Sequence, residues 1–244
     1  ESTSVSTLIA LNLLREVGTD ASDARVERAF RYLLQTFDPS LKSWYLVPPH
    51  DNKRPHAPWW DFNEKYPESF AWFQDNPRPD VLACLYAFPR PEMDQLRMLL
   101  TATILRRLDG LETAPDVGGM ECYARLYETR GIPAELRAKL GERLSQWFEQ
   151  RLEADPVRWT EYRLRPLDVA PVADSALRAL VDPALIERNL DYLIVHQKEN
   201  GAWPVYWSWG NAFPESWPKS EQKWEAILTL RYLRALQSYG RIAE

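Results

Sequence analysis

Residues 188–203 read RNLDYLIVHQKENGAW, and they carry a helical pattern directly into a cluster of tryptophans. Apolar residues recur at helical spacing as far as Leu193. Gln197, Gly201 and Trp203 then follow at intervals of four and two residues. Glycine and polar residues after a periodic segment are typical of a helix end. The stretch therefore predicts an amphipathic helix that leads into an aromatic loop.

Other segments repeat parts of this pattern. A weaker copy leads from Arg28 and Tyr32 to Trp44, with Thr36 where glutamine is expected and no glycine before the tryptophan. A second pair of matching segments shares one spacing, Thr7, Leu8, Leu11, Leu14 and Gly18 against Thr229, Leu230, Leu233, Leu236 and Gly240. Amphipathic helices resemble one another, but two matched pairs in the same order favour stacked helical repeats.

Composition places the chain among ordinary globular proteins. Its 244 residues are 45% hydrophobic and 27% charged, which is enough chain for a large core. The net charge of −5 argues against a nucleic-acid partner. No apolar run has the length of a membrane span, so only peripheral membrane contact is left open. Cys84 and Cys122 lie in apolar helical patterns, which predicts buried free thiols and a reducing, cytoplasmic compartment.

Helical periodicity dominates, and alternation of β-branched residues is almost absent. The pattern predicts about nine helices, at 6–17, 24–37, 78–88, 92–108, 118–129, 133–152, 173–181, 184–198 and 221–239. We interpret residues 1–244 as one domain with long aromatic loops at 38–78 and 199–219. Long amphipathic helices alternate with short helices that are apolar all round, as expected for an outer ring of helices around an inner ring.

The stretch 188–203 resembles the QW repeat of squalene–hopene and oxidosqualene cyclases, which also occurs in protein prenyltransferase β-subunits. It departs from that repeat at Asn189, where a small residue is usual. The resemblance implies an all-α fold, the α/α toroid, with inner and outer rings of helices. Because the chain begins with an inner-type helix, we expect an N-terminal outer helix to be missing from it. The segment 56–60, HAPWW, followed by Asn76 and Pro77, resembles a signature of toroid-like proteins that brings no function with it.

The resemblance carries over no complete catalytic motif. The cyclases protonate an alkene with a DxDD motif, and neither it nor the metal-binding DDxxD motif occurs here. The zinc-binding Asp-x-Cys of the prenyltransferases and the nucleotide-binding glycine motifs are also absent, so no metal or other cofactor is predicted.

Single acids remain at the predicted starts of inner helices, namely Asp80, Glu121 and Asp174, and His56 lies in an aromatic loop. We take these four as candidate catalytic residues, because a carboxylic acid or a histidine transfers protons. The alternative for the acids is that they complement the helix dipole. The alternative for His56 is that it ties the loop backbone together.

Eleven tryptophans exceed ordinary usage several times over. We interpret Trp44, Trp72 and Trp203 as packing residues, because the repeat tryptophan of the family resembles a structural staple. The candidate substrate-binding residues are Trp59, Trp60, Asp61, Tyr86, Tyr123, Tyr127, Trp207, Trp209 and Trp224. Aromatic faces at these positions would pack on an apolar ligand, stabilise a cation or stack on a sugar.

These features favour a toroid enzyme that cyclises or isomerises an apolar, isoprenoid-derived small molecule by acid–base chemistry. One alternative is a sugar-active α/α barrel, whose two carboxylates flank a glycosidic bond in an open groove. A second alternative is a non-catalytic binding or scaffold protein with a degenerate cyclase fold. That alternative predicts that every cavity acid is satisfied by an arginine. The oligomeric state is left open.

Overall fold

The computed structural model describes residues 3–45, 53–60 and 74–242, except for the side chain of Trp60. These residues form nine α-helices and several 3₁₀ turns, with two isolated bridges and no strand. The predicted all-α class is confirmed for this part of the chain. The chain divides into two compact units, Glu1–Leu144 and Ser145–Glu244, and the ring arrangement stays a prediction.

The described residues of the first unit form five helices and the start of a sixth. They are α1 (Ser4–Glu16), α2 (Ala24–Thr36), α3 (Arg78–Ala87), α4 (Asp94–Gly110), α5 (Val117–Glu128) and α6 (Ala134–Arg151), the last of which crosses the unit boundary. Helix α3 contacts α1, α4 and α5, and α1 also contacts α2. Helix α3 is therefore the centre of this unit.

The sequence of α3 explains its central place. The eight residues from Arg78 to Leu85 are all buried, so the helix has no solvent face. In contrast, α2 buries only Val26, Phe30 and Leu33, which recur at helical spacing on one stripe. Helix α4, one of the long helices of the predicted contrast, likewise buries only Leu96, Leu100, Ile104 and Leu108. The contrast between short helices apolar all round and long amphipathic ones is therefore confirmed for α3 and α4.

The second unit contains α7 (Pro166–Val169), α8 (Pro183–Val195) and α9 (Trp217–Ser238). Helix α8 contacts α7, α9 and a 3₁₀ turn at Pro156–Thr160. Helix α9 begins four residues before its predicted start, because Pro218 fits the first turn of a helix.

The α-helix predicted at 173–181 is wrong, because this segment forms a 3₁₀ turn at Ala176–Leu180. The Ser175 side chain accepts a hydrogen bond from the Leu177 N–H, and the following backbone bonds link residues three apart. Asp182 already caps the next helix, so the segment is too short for longer helical bonds. The four residues of α7 escaped prediction because so short a helix shows no periodicity.

The same type of hydrogen bond occurs in each of the two predicted repeats. The Trp203 indole N–H donates to the Leu193 carbonyl of α8 at 2.8 Å. The Trp44 indole N–H donates to the Leu33 carbonyl of α2 at 2.7 Å. Both tryptophans are buried. Each therefore fastens the loop to the end of the helix before it, as expected of a staple.

The turn before each of these tryptophans contains a residue with positive φ. Gly201, two residues before Trp203, has a φ of 81°, and the Gln197 amide donates to its carbonyl at 2.9 Å. Lys42, two residues before Trp44, has a φ of 50°. The first repeat thus keeps the left-handed residue although it lacks the glycine.

The second matched pair also agrees in structure. Gly18 and Gly240 follow α1 and α9 with φ values of 71° and 68°. Their N–H groups donate to the carbonyls three residues earlier, at 3.1 Å and 2.9 Å. The next N–H in each case donates to the carbonyl five residues earlier, at 2.9 Å and 2.7 Å. Both helices therefore end in the same Schellman motif.

Candidate functional site

The starts of α3 and α5 bring charged side chains into the interior of the first unit. Pro77 and Pro79 flank the first residue of α3, and the Asn76–Pro77 peptide bond is cis. Asp116 caps the start of helix α5, and its side chain accepts a hydrogen bond from the Gly119 N–H at 2.8 Å. Because Gly119 has no side chain, this turn packs directly against Pro115 and the loop before α3.

Asp80 is the centre of a first buried group. It is 3% exposed, and its Oδ2 accepts a hydrogen bond from the Asn12 amide at 2.7 Å. Its Oδ1 accepts one from Arg125 Nε at 3.0 Å. Arg125 also pairs with Glu121 at 3.5 Å, one helical turn earlier on α5. We call these four residues, Asn12, Asp80, Glu121 and Arg125, the Asp80 cluster.

The neighbouring acids of Arg125 favour its charged form. Burial disfavours the charged guanidinium, but the negative charges of Asp80 and Glu121 outweigh burial and raise the pKa of Arg125 well above its ordinary value. The cluster joins three helices, since Asn12 belongs to α1, Asp80 to α3 and Arg125 to α5. Its hydrogen bonds therefore hold the centre of the unit together.

Asp75 is the centre of a second group, the Asp75 cluster of Asp75, Arg107 and Tyr123. Arg107 binds both carboxylate oxygens of Asp75, at 3.1 Å and 2.6 Å. The Tyr123 hydroxyl donates to Asp75 Oδ1 at 2.8 Å. Burial, followed by the charge of Asp75, raises the pKa of Tyr123 well above its ordinary value. Tyr123 therefore remains a protonated donor.

The candidate catalytic residues lie in different places. Asp80 and Glu121 come together, because both pair with Arg125. Asp174 is exposed in the second unit, before the 3₁₀ turn at Ala176–Leu180. His56 is half-buried, and its Nδ1 lies 2.5 Å from the Arg54 carbonyl oxygen, a contact that ties the loop backbone.

The three candidate tyrosines also separate. Tyr123 belongs to the Asp75 cluster. Tyr86 contacts α4, where its hydroxyl lies 3.0 Å from Thr101 Oγ1. Tyr127 packs against α6, with the Arg137 guanidinium 5.5 Å from its ring centre. Tyr86 and Tyr127 thus pack on neighbouring helices.

The candidate tryptophans of the second unit form two groups. Trp207 and Trp224 are half-buried, with ring centres 5.2 Å apart and planes at 79°. The Tyr206 ring lies 4.7 Å from that of Trp207. Trp209 is buried, 5.3 Å from Trp217. The first group presents aromatic surface, whereas Trp209 contributes to packing.

Only one of the remaining aromatic-loop candidates has a described side chain. Trp59 is 47% exposed at the 3₁₀ turn Pro58–Trp60. The side chain of Trp60, together with the whole of Asp61 and Trp72, lies outside the described residues.

A buried arginine contacts this aromatic group through the Tyr206 ring. The Arg165 guanidinium lies 4.0 Å from the Tyr206 ring centre. It pairs with Asp168 at 3.0 Å and donates to the Tyr232 hydroxyl at 2.7 Å. Burial opposes its charge, but Asp168 raises the pKa of Arg165 well above its ordinary value. Arg165 is therefore a fixed, charged part of the second unit.

Neither a metal centre nor a reactive thiol emerges. Within the described ranges, no group of three or more His, Cys, Asp or Glu side chains is arranged to hold a metal ion. Cys84 and Cys122 are free and buried, as predicted. Burial raises the pKa of Cys84 to about 12, so its thiol stays protonated. The helices described here include none with the length and apolar character to cross a membrane.

Sequence reasoning missed Asn12, Asp75, Arg107, Arg125 and Arg165 as members of these groups. A signal existed for Arg125, because it follows Glu121 by four residues on a predicted helix. No local signal existed for Arg107, which lies 32 residues from Asp75.

Protein-family models, curated proteins and solved structures give no match to this chain. The likeness to cyclase repeats therefore depends on the sequence of residues 188–203 alone.

Proposed function

We propose that this is a binding protein that holds an apolar, isoprenoid-like small molecule without transforming it. The observation that carries the proposal is the complete hydrogen bonding of the Asp80 carboxylate by neighbouring residues. Both oxygens of its carboxylate accept hydrogen bonds, one from a guanidinium. An acid that initiates cyclisation must instead present a proton to the alkene.

The second candidate acid supports the same conclusion. Glu121 pairs with the same arginine as Asp80, at 3.5 Å. Asp80 and Glu121 thus both pair with Arg125, as the binding-protein alternative expects of cavity acids. Breaking a buried ion pair is strongly destabilising, because the remaining charge loses its partner. We assign the Asp80 cluster to the stability of the first unit.

The ligand surface that we propose is the Trp207–Trp224 pair of the second unit. Both rings are half-buried, and their nearly perpendicular planes offer one face and one edge to an apolar molecule. Aromatic surface of this kind binds apolar groups through area burial. The isoprenoid class comes from the likeness to the cyclase repeat.

The test combines binding with product analysis. A polyprenyl alcohol is titrated into the protein while tryptophan emission and heat are recorded, and the extracted ligand is analysed by gas chromatography and mass spectrometry. We expect saturable binding and unchanged ligand. Trp207→Ala and Trp224→Ala should each weaken binding about tenfold, as expected for central aromatic contacts.

Trp59→Ala is the matched control, because it removes a half-exposed tryptophan from the first unit. It should leave the dissociation constant unchanged. A new product that disappears in Asp80→Asn while the circular dichroism stays native would contradict the proposal and support acid-initiated cyclisation. Absence of binding to any polyprenyl chain would also contradict it.

A further inference from the structure

Arg78 is a buried cation whose charge is not balanced by any ion pair within the described residues. It is the first residue of α3 and is 4% exposed. Its Nε is buried and has no hydrogen-bond partner. Burial lowers the pKa of Arg78. Arginine is rarely buried without a partner, because desolvation of an unpaired charge costs several kcal/mol.

The acid nearest to Arg78 in charge effect is already paired with another arginine. Within the described residues, the groups that act on Arg78 are Asp75, Tyr123 and Arg107. Asp75 is the one acid among them, and Arg107 already binds both of its oxygens. Two guanidinium groups thus lie near the Asp75 carboxylate, while Tyr123 is protonated and neutral.

The start of α3 adds to this charge. The helix has ten residues, and its N-terminal end carries the positive end of the helix dipole. Pro79 has no N–H, and the N–H groups of Asp80 and Val81 already donate to the Pro77 carbonyl. The helix end supplies electrostatic attraction for an anion, and the Arg78 guanidinium supplies hydrogen-bond donors.

We propose that Arg78 binds the oxyanion of a small ligand, a phosphate or a carboxylate group, at the start of α3. A guanidinium presents a planar set of N–H donors that matches both groups. Binding would give Arg78 the ion-pair partner that the described residues do not supply. Arg78 belongs to the first unit, whereas the Trp207–Trp224 pair belongs to the second.

The test is thermal unfolding and calorimetry in inorganic phosphate or in sodium acetate, with sodium chloride keeping the ionic strength constant. We expect one or both anions to raise the unfolding midpoint of the native sequence by mass action. A response to phosphate alone identifies a phosphate site, and a response to acetate alone identifies a carboxylate site.

Three variants make the test specific. Arg78→Met removes the unpaired charge, so its midpoint without anion should equal or exceed that of the native sequence, and its anion response should vanish. Arg78→Lys keeps the charge without the planar donors and should bind about tenfold more weakly. Arg25→Met, which alters an exposed arginine, should respond like the native sequence.

Two results overturn the proposal. In the first, neither anion shifts the midpoint of the native sequence. In the second, Arg78→Met and Arg78→Lys respond as strongly as the native sequence. If Arg78→Met fails to fold, the Arg78→Lys titration decides. The Trp207→Ala variant should keep its anion response, which separates this proposal from the one on the apolar ligand.

Discussion

Gly119 stands at a position in α5 where even one methyl group does not fit. A Cβ there would lie 2.8 Å from Pro115 Cβ and 3.3 Å from Asp75 Cβ. Alanine is ordinarily the better helix residue by about 1 kcal/mol. At this position we expect glycine to give the more stable protein, because the turn contains both the Asp116 cap and the contact with Asp75.

We predict that Gly119→Ala lowers the free energy of unfolding by about 1–3 kcal/mol, the usual cost of overpacking. Urea unfolding measures the change. Gly110→Ala is the matched control, because Gly110 ends α4 with open space around it. That variant should be neutral or slightly stabilised. Equal effects of the two substitutions would contradict the packing argument.

At the scale of the helix and its following loop, the repeats differ in sequence but agree in geometry. The left-handed residue is Gly201 in one repeat and Lys42 in the other. A side chain in this conformation costs roughly 1–2 kcal/mol, because Cβ approaches the following carbonyl oxygen. Glycine avoids this cost but is more flexible in the unfolded chain.

We predict opposite effects of reciprocal substitutions. Gly201→Lys should destabilise the protein by about 1 kcal/mol. Lys42→Gly should stabilise it by a smaller amount, because unfolded-state flexibility offsets part of the gain. Thermal unfolding compares the two variants with Gly131→Lys, which tests a left-handed glycine outside the repeats. Destabilisation by Lys42→Gly would refute the equivalence of the two turns.

Most helices could be predicted from sequence because their signals are local. Pro183 and the Asp182 cap define the start of α8, and apolar periodicity defines its length. The 3₁₀ turn at Ala176–Leu180 could not be predicted, because a short apolar segment fits several conformations. Backbone hydrogen bonds between residues three apart determine the 3₁₀ conformation of this segment.

At the scale of the whole molecule, the site could be predicted only where its partners are close in sequence. Glu121 and Arg125 are one helical turn apart, so their pairing follows from the helix. Asn12 and Asp80 are 68 residues apart, and only the packing of α1 on α3 brings them together. The acids could therefore be identified from sequence, whereas the arginine and amide that neutralise Asp80 could not.

Global stability should depend on alkaline pH. Burial raises the pKa of Cys84 from 9.0 to about 12 in the folded protein. The folded state therefore holds this proton while the unfolded state loses it, so the contribution is complete below pH 9 and is lost as the pH rises towards 12. Tyr123 acts in the same direction above pH 10.

We predict that the free energy of unfolding falls between pH 9 and 12. Cys84 should account for up to about 1.4 kcal/mol of that fall per pH unit. Cys84→Ala should reduce this slope, whatever its constant loss at pH 7. Urea midpoints across this range measure both quantities. An unchanged slope in the variant would show that Cys84 is not the group responsible.

The indole bond of Trp44 has a wider consequence. It forms although its repeat lacks both the glutamine and the glycine of the better copy. Such a repeat can therefore lose its motif residues and keep its local structure. Distant kin of this chain should be sought by shape: a carbonyl near a helix end, a left-handed residue, and an indole two positions later.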